Sequence, residues 1–357
     1  MKKRFYTHTL ILVLALVLVP AAAGQQVVTP DTEVETRKRA QTGFKFLSAS
    51  VDARAAGLGG AITAELNGNS VSMFYNPASM AGMPGSFHAN LAQLQFIAEI
   101  DYNIASLAYR PGGGNYGVFG LSITSVDYGD FIGTIRANNA DGFLETGTFS
   151  PTALAAGLGY ARSFTDRFSV GFHVKYAFQD FDGDFATSTT GDLATSTSDI
   201  ATTEQYDKGT VAVDFGIVYA TGFRSLIFAM SARNFSRELT YVRENFELPL
   251  TFQIGLSVDM IDFTSLNPDD HSLMLHVDAQ RPRDFAEHVR FGLEYTFLGI
   301  VSLRGGFEQL SVSEEQGVTL GGGLKYEVNN IRFGANYAWT DFGLFGSVNR
   351  FGLQVGL

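Results

Sequence analysis

"FSVGFHVKYAFQ", residues 168–179, alternates without a break. Phe168, Val170, Phe172, Val174, Tyr176 and Phe178 share one side; Ser169, Gly171, His173, Lys175, Ala177 and Gln179 share the other. Successive strand side chains point to opposite faces, so this pattern predicts a β-strand with one apolar and one polar face. A helix would repeat its apolar positions every three or four residues instead. Strands of soluble sheets usually stop after about 5–6 residues. A strand tilted across a bilayer needs about 9–11.

The same pattern recurs. Phe252, Ile254, Leu256, Val258 and Met260 alternate with Gln253, Gly255, Ser257 and Asp259. Val289 to Phe297, Val318 to Glu327 and Ile331 to Thr340 read alike. Strands are predicted near 86–96, 100–110, 115–126, 150–163, 166–180, 208–222, 225–236, 248–260, 271–280, 288–297, 299–309, 318–328, 330–340 and 347–357. Their number is even, as bacterial outer-membrane barrels require, and short turns should alternate with longer outer loops. Short connections at 111–114, 164–165, 223–224, 298 and 329–330 alternate with longer ones at 127–149, 181–207, 237–247, 310–317 and 341–346. Two connections depart from the rule: 97–99 is short for an outer loop and 261–270 long for an inner turn. The fold class expected is all-β: a 14-stranded antiparallel transmembrane β-barrel with an N-terminal plug segment.

The N-terminus agrees with export. Lys2, Lys3 and Arg4 precede an apolar run at 10–19 and the small residues of 20–24, the layout of a secretory signal peptide. That run is too short to cross a hydrocarbon core of about 30 Å. The domains expected are a signal peptide at 1–24, a periplasmic tether at 25–50, a plug segment at 51–84 and the barrel at 85–357. The location expected is the outer membrane, with its lipid as the first partner.

Composition narrows the chemistry. The chain has no cysteine, which removes thiolate metal sites and a cysteine nucleophile. A net charge of −11 argues against binding nucleic acid. The six histidines form no H-E-x-x-H, so neither a metal nor a cofactor is expected. No G-x-S-x-G elbow is present and no enzyme is expected. A serine triad spread over neighbouring strands would leave no contiguous signature, so sequence could not locate one. The charged and histidine positions on the polar faces, His173, Lys175, Asp214, Arg290, Glu294, Lys325, Glu327 and Arg332, are expected to face the lumen. There they would pair and hold the plug, or line a path.

Residues 51–82, "VDARAAGLGGAITAELNGNSVSMFYNPASMAG", are too apolar for a linker and too rich in Gly and Ala for a strand. Fourteen strands enclose more space than their own side chains fill. A segment of small residues suits that space, with glycines permitting close backbone approach. Ala53, Arg54, Ala55, Gly57, Gly59, Gly60 and Ala61, followed by Asn76, Pro77 and Ala78, resemble the N-terminal signature of the PorV/PorQ family, outer-membrane barrels related to the fatty-acid transporter FadL. That family often carries paired acidic residues between the two motifs, where this chain has Glu65 followed by Leu66. The resemblance implies a plug motif at Arg54, Gly57, Gly59, Gly60, Asn76, Pro77 and Ala78. It also implies one of two roles. PorV-type members serve type IX secretion, binding or shuttling secreted cargo proteins. FadL-type members pass hydrophobic small-molecule ligands across the outer membrane.

Overall fold

A computed structural model describes residues 42–181, 185–188, 200–204, 207–240, 245–309 and 317–357. The signal peptide at 1–24 and residues 25–41 of the expected tether lie outside the described residues.

Fourteen strands form one closed barrel. They are β1 (Phe87–Gln95), β2 (Asp101–Tyr109), β3 (Val118–Asp127), β4 (Thr152–Thr165), β5 (Phe168–Asp180), β6 (Asp207–Ala220) and β7 (Ile227–Ser236). The second half comprises β8 (Thr251–Asp259), β9 (His271–Pro282), β10 (His288–Phe297), β11 (Val301–Gln309), β12 (Val318–Val328), β13 (Ile331–Asp341) and β14 (Ser347–Gly356). Each strand pairs antiparallel with the next, and β14 returns to β1 with Leu353 opposite Leu91. Closure leaves no strand edge unpaired, the condition for a sheet in hydrocarbon.

Burial follows the two-residue period. In β3 every second residue from Val118 to Thr124 is buried and the residues between are exposed. Phe172, Leu293 and Phe333 are 42%, 45% and 45% exposed, whereas their neighbours His173 and Glu294 are buried. An outer surface this apolar is stable only against lipid.

The connections explain the two departures. Ala98 and Glu99 take left-handed φ values of 58° and 59°, which lets β1 turn into β2 tightly. The longer connection after β8 opens with a 3-10 turn, Met260–Phe263, capped by Asp259, which accepts from Ile261 N–H at 2.9 Å. The turn expected at 164–165 falls instead at 166–167, because β4 runs to Thr165 and β5 starts at Phe168. Asn329 and Asn330 both have positive φ, the conformation a two-residue hairpin requires. The connection after β3 contains a hairpin, Phe131–Arg136 with Phe143–Phe149.

Residues 42–50 correct the sequence reading. Expected as part of a periplasmic tether, they run inside the barrel toward the end carrying the long connections. Thr42 forms a parallel bridge to Glu247, its hydroxyl donates to Asp284 at 2.8 Å, and Lys45 pairs with Asp284. Phe44 and Phe46 are each 2% exposed, packed in one cluster with Leu94, Tyr102, Ile104 and Leu248. The charges at 31–39 dominate the sequence reading. The apolar stretch Phe44 to Leu47 decides the placement, since burying a large apolar side chain is worth roughly 1.5–3 kcal/mol.

Two outcomes test this architecture. Cysteine at Asn139 should react with an impermeant maleimide on intact cells, and cysteine at Asn330 only after permeabilisation; the reverse pattern would invert the barrel. Leu293→Arg, which puts a charge on the lipid face, should destabilise the barrel by roughly 2–4 kcal/mol in an unfolding titration.

Candidate functional site

The segment from Val51 to Met83 crosses the lumen and meets the inner wall through short helical turns. Asp52 caps the helix Ala53–Gly57, accepting from Ala55 N–H at 2.9 Å. Gly59 and Gly60, with φ of 65° and 78°, turn the chain at the helix end, and Gly60 N–H donates back to Ala55 O at 2.8 Å. Few other residues adopt these angles cheaply. Asn69 caps Ser70–Phe74 in a reciprocal arrangement with Ser72. Asn76 then joins two legs of the segment to the wall. Its amide donates to Thr63 O at 2.9 Å and to Ile217 O of β6 at 3.1 Å. Its side-chain oxygen accepts from Ala78 N–H at 3.1 Å. Pro77 occupies the first position of the turn Pro77–Gly82, where no N–H is needed.

Charge fixes the other leg. Arg54 donates to Glu294 of β10 at 2.8 Å and pairs with Glu65. Arg304 of β11 donates to the same Glu294 at 2.7 Å and to Asn336 at 2.9 Å. Glu294 thus lies between two guanidiniums, and removing one member of such a buried set typically costs about 3–5 kcal/mol. Burial pushes the Glu65 carboxyl up, against the pull of Arg54. Burial also pushes Asp52 up, opposed first by its hydrogen bond from Ala55 N–H.

The wall has been cut away where the segment touches it. A side chain at Gly171 of β5 would meet the backbone of Pro77 and Ala78. At Gly216 of β6 it would meet Asn76, at Gly292 of β10 Leu58, and at Gly306 of β11 the Leu58–Gly59 peptide. Gly57 and Gly321 of β12 approach so closely that a Cβ on either would lie 3.1 Å from the other's Cα. In sequence these wall glycines read only as members of a polar face. Their role depends on a segment more than ninety residues away in the chain.

The charges expected in the lumen separate into groups. His173, Lys175 and Asp214 come together: His173 Nδ1 lies 3.0 Å and Lys175 Nζ 2.8 Å from Asp214 Oδ2. Glu294 joins Arg54 instead. Arg290 is half-buried beside Gly60. Arg332 donates to Pro84 O at 2.6 Å. Lys325 and Glu327 are exposed and, with Arg332, line an open cavity of about 780 Å³ at the short-turn end. Sequence reasoning did not single out Ser122, Arg233, Asn234 or Arg304. Only the alternation marks Ser122, Arg233 and Arg304 as inward, and a β-bulge opposite Asp214 brings in Asn234.

The lumen therefore has two unlike halves. The short-turn half is an open, charged vestibule. The long-loop half holds an apolar cluster: Phe44, Phe46 and Val51 from the N-terminal segment pack against inward-facing Leu94, Tyr102, Ile104, Val126 and Val348.

No protein-family model matches the chain, and no curated protein matches it in sequence. Its fold does match solved barrels. The toluene transporter TbuX of Ralstonia pickettii is 13% identical at a TM-score of 0.54, over 85% of this chain and 96% of that one. The toluene transporter TodX of Pseudomonas putida is 11% identical at 0.54, over 84% and 96%. A FadL homologue of Pseudomonas aeruginosa is 11% identical at 0.50, over 85% and 97%. The chain has the fold of the FadL-like outer-membrane transporters. At these identities the likeness is one of fold. It bears on the FadL side of the sequence resemblance and says nothing of the PorV/PorQ family or of type IX secretion.

If the wall glycines seat the segment, Gly171→Val should leave a folded barrel whose plug is displaced. Overpacking typically costs about 1–3 kcal/mol. Single-channel conductance in planar bilayers should rise above wild type, as it should on deleting residues 51–82; unchanged conductance in both would mean that the segment does not block the pore.

Proposed function

We propose that the protein is a passive transporter of hydrophobic small molecules across the outer membrane. The observation that carries this reading is the cluster of apolar side chains packed inside the long-loop half of the lumen. Barrel interiors are ordinarily polar, because they hold water. Here Leu94, Tyr102, Ile104 and Val126 turn inward and are covered by Phe44 and Phe46. A cluster of this composition favours an apolar solute over water. The chain's own phenylalanines now occupy the space such a solute would take, so passage requires residues 44–51 to yield. The toluene transporters that share the fold support the same class of solute. The type IX secretion reading rests on the sequence resemblance alone.

Uptake of radiolabelled toluene and of a long-chain fatty acid by cells lacking their own transporters tests the proposal. Cells making the protein should take up at least one of them several-fold faster than cells without it. Leu94→Asp, which puts a charge in the cluster, should abolish the gain while the barrel still inserts. Unchanged uptake in that variant would remove the cluster from the path.

A further inference from the structure

The apolar cluster borders a polar constellation that passive transport does not need. Ser122 of β3 places its Oγ 2.8 Å from His173 Nε2, and His173 Nδ1 lies 3.0 Å from Asp214 Oδ2. The three residues are 6%, 1% and 0% exposed. Asp214 accepts at Nδ1, so that nitrogen carries the proton and Nε2 keeps a lone pair for the Ser122 hydroxyl. This is the order of a serine nucleophile, its base and the carboxylate that positions the base.

Two features show what the arrangement demands of the wall. Ser122 and His173 stand on β3 and β5, with β4 between them. The imidazole crosses over Gly157, where any side chain would collide with Nε2. Asp214 is held from two further directions, by Lys175 Nζ at 2.8 Å and by Asn234 N–H at 2.6 Å. Asn234 has a φ of 63° within the bulge of β7, which turns its N–H toward the carboxylate.

Ser122 and His173 line a small cavity with Phe46, Leu47, Phe74 and Arg233. Arg233 donates to Leu47 O at 3.3 Å, but its buried Nε has no partner among the described residues. A guanidinium N–H left over in the lining of the same cavity is a hydrogen-bond donor the fold itself does not use. The ring of Phe74 packs edge-on to His173 at 6.4 Å between centroids. Phe46 and Leu47 cover the rest, so a substrate reaches Ser122 only when the N-terminal segment shifts.

We propose that Ser122 is an acyl-accepting nucleophile, with His173 as its base and Asp214 as the positioning residue, and that the protein hydrolyses esters of hydrophobic carboxylic acids. Ser122 Oγ bonds to the ester carbonyl carbon as its proton passes to His173 Nε2. The carbonyl electron pair moves onto oxygen. The carbon–oxygen ester bond then breaks, and the alcohol leaves with the proton from His173. Solvent water attacks the acyl–Ser122 ester with His173 again taking the proton. The carboxylic acid departs and Ser122 is restored. Ester and water become acid and alcohol, with no other reactant.

This activity goes beyond the transport reading, and either can fail without the other. The test treats the full-length protein in detergent with an alkyl fluorophosphonate, which forms a phosphorus–oxygen bond to an activated serine and releases fluoride. Mass spectrometry of the digest should place the adduct on Ser122. S122A should lose it. H173Q, checked for folding by its heat-modifiable gel mobility, should label roughly 100-fold more slowly or worse, the usual range for loss of a general base. F46A, which uncovers the cavity, should label faster than wild type. Absence of an adduct on Ser122 in both wild type and F46A would overturn the proposal, as would labelling of folded H173Q at the wild-type rate.

Discussion

Everything in this protein depends on the return of β14 to β1. Hydrocarbon offers no partner for a free N–H or carbonyl, so a sheet in a membrane must close. The register that achieves this sets Leu353 against Leu91, both 64% exposed on the lipid side. It also sets Gly352 against Ala92 on the lumen side. A slip of one residue would exchange the faces. The lipid band, the lumen and the seats for the N-terminal segment all follow from this one register.

Closure creates a second requirement. A fourteen-stranded barrel is too wide for wall side chains to fill. The N-terminal segment occupies part of that space, and the wall accommodates the segment by subtraction, with glycines where backbones meet. Where the segment and wall touch through charge, Glu294 holds guanidiniums from both sides. Where they touch through apolar groups, Met73 and Met80 pack with Ala108, Val118 and Ala161. Methionine suits such irregular gaps because it is unbranched and adaptable.

The lumen is divided along its length. A charged vestibule opens at the short-turn end, and an apolar cluster occupies the long-loop end under Phe44 and Phe46. Between them lie the short helix, the Asn76 clamp and the Ser122–His173–Asp214 line.

The sequence by itself determined the strands and their number, because a period of two over ten residues marks a strand; alternation separates two faces without saying which is the lumen. It also marked residues 51–82 as a foreign piece, since small uncharged residues make neither a linker nor a wall. It read residues 42–50 as a tether, because the neighbouring charges outweighed Phe44 and Phe46, which are buried inside the barrel. Alternation told that Ser122, His173 and Asp214 lie on the polar face, but not that they touch. Contact across β4 depends on Gly157, and the third donor to Asp214 depends on a bulge in β7. Only the tertiary structure decides such contacts, because they join strands far apart in the chain at distances set by barrel register rather than by local sequence.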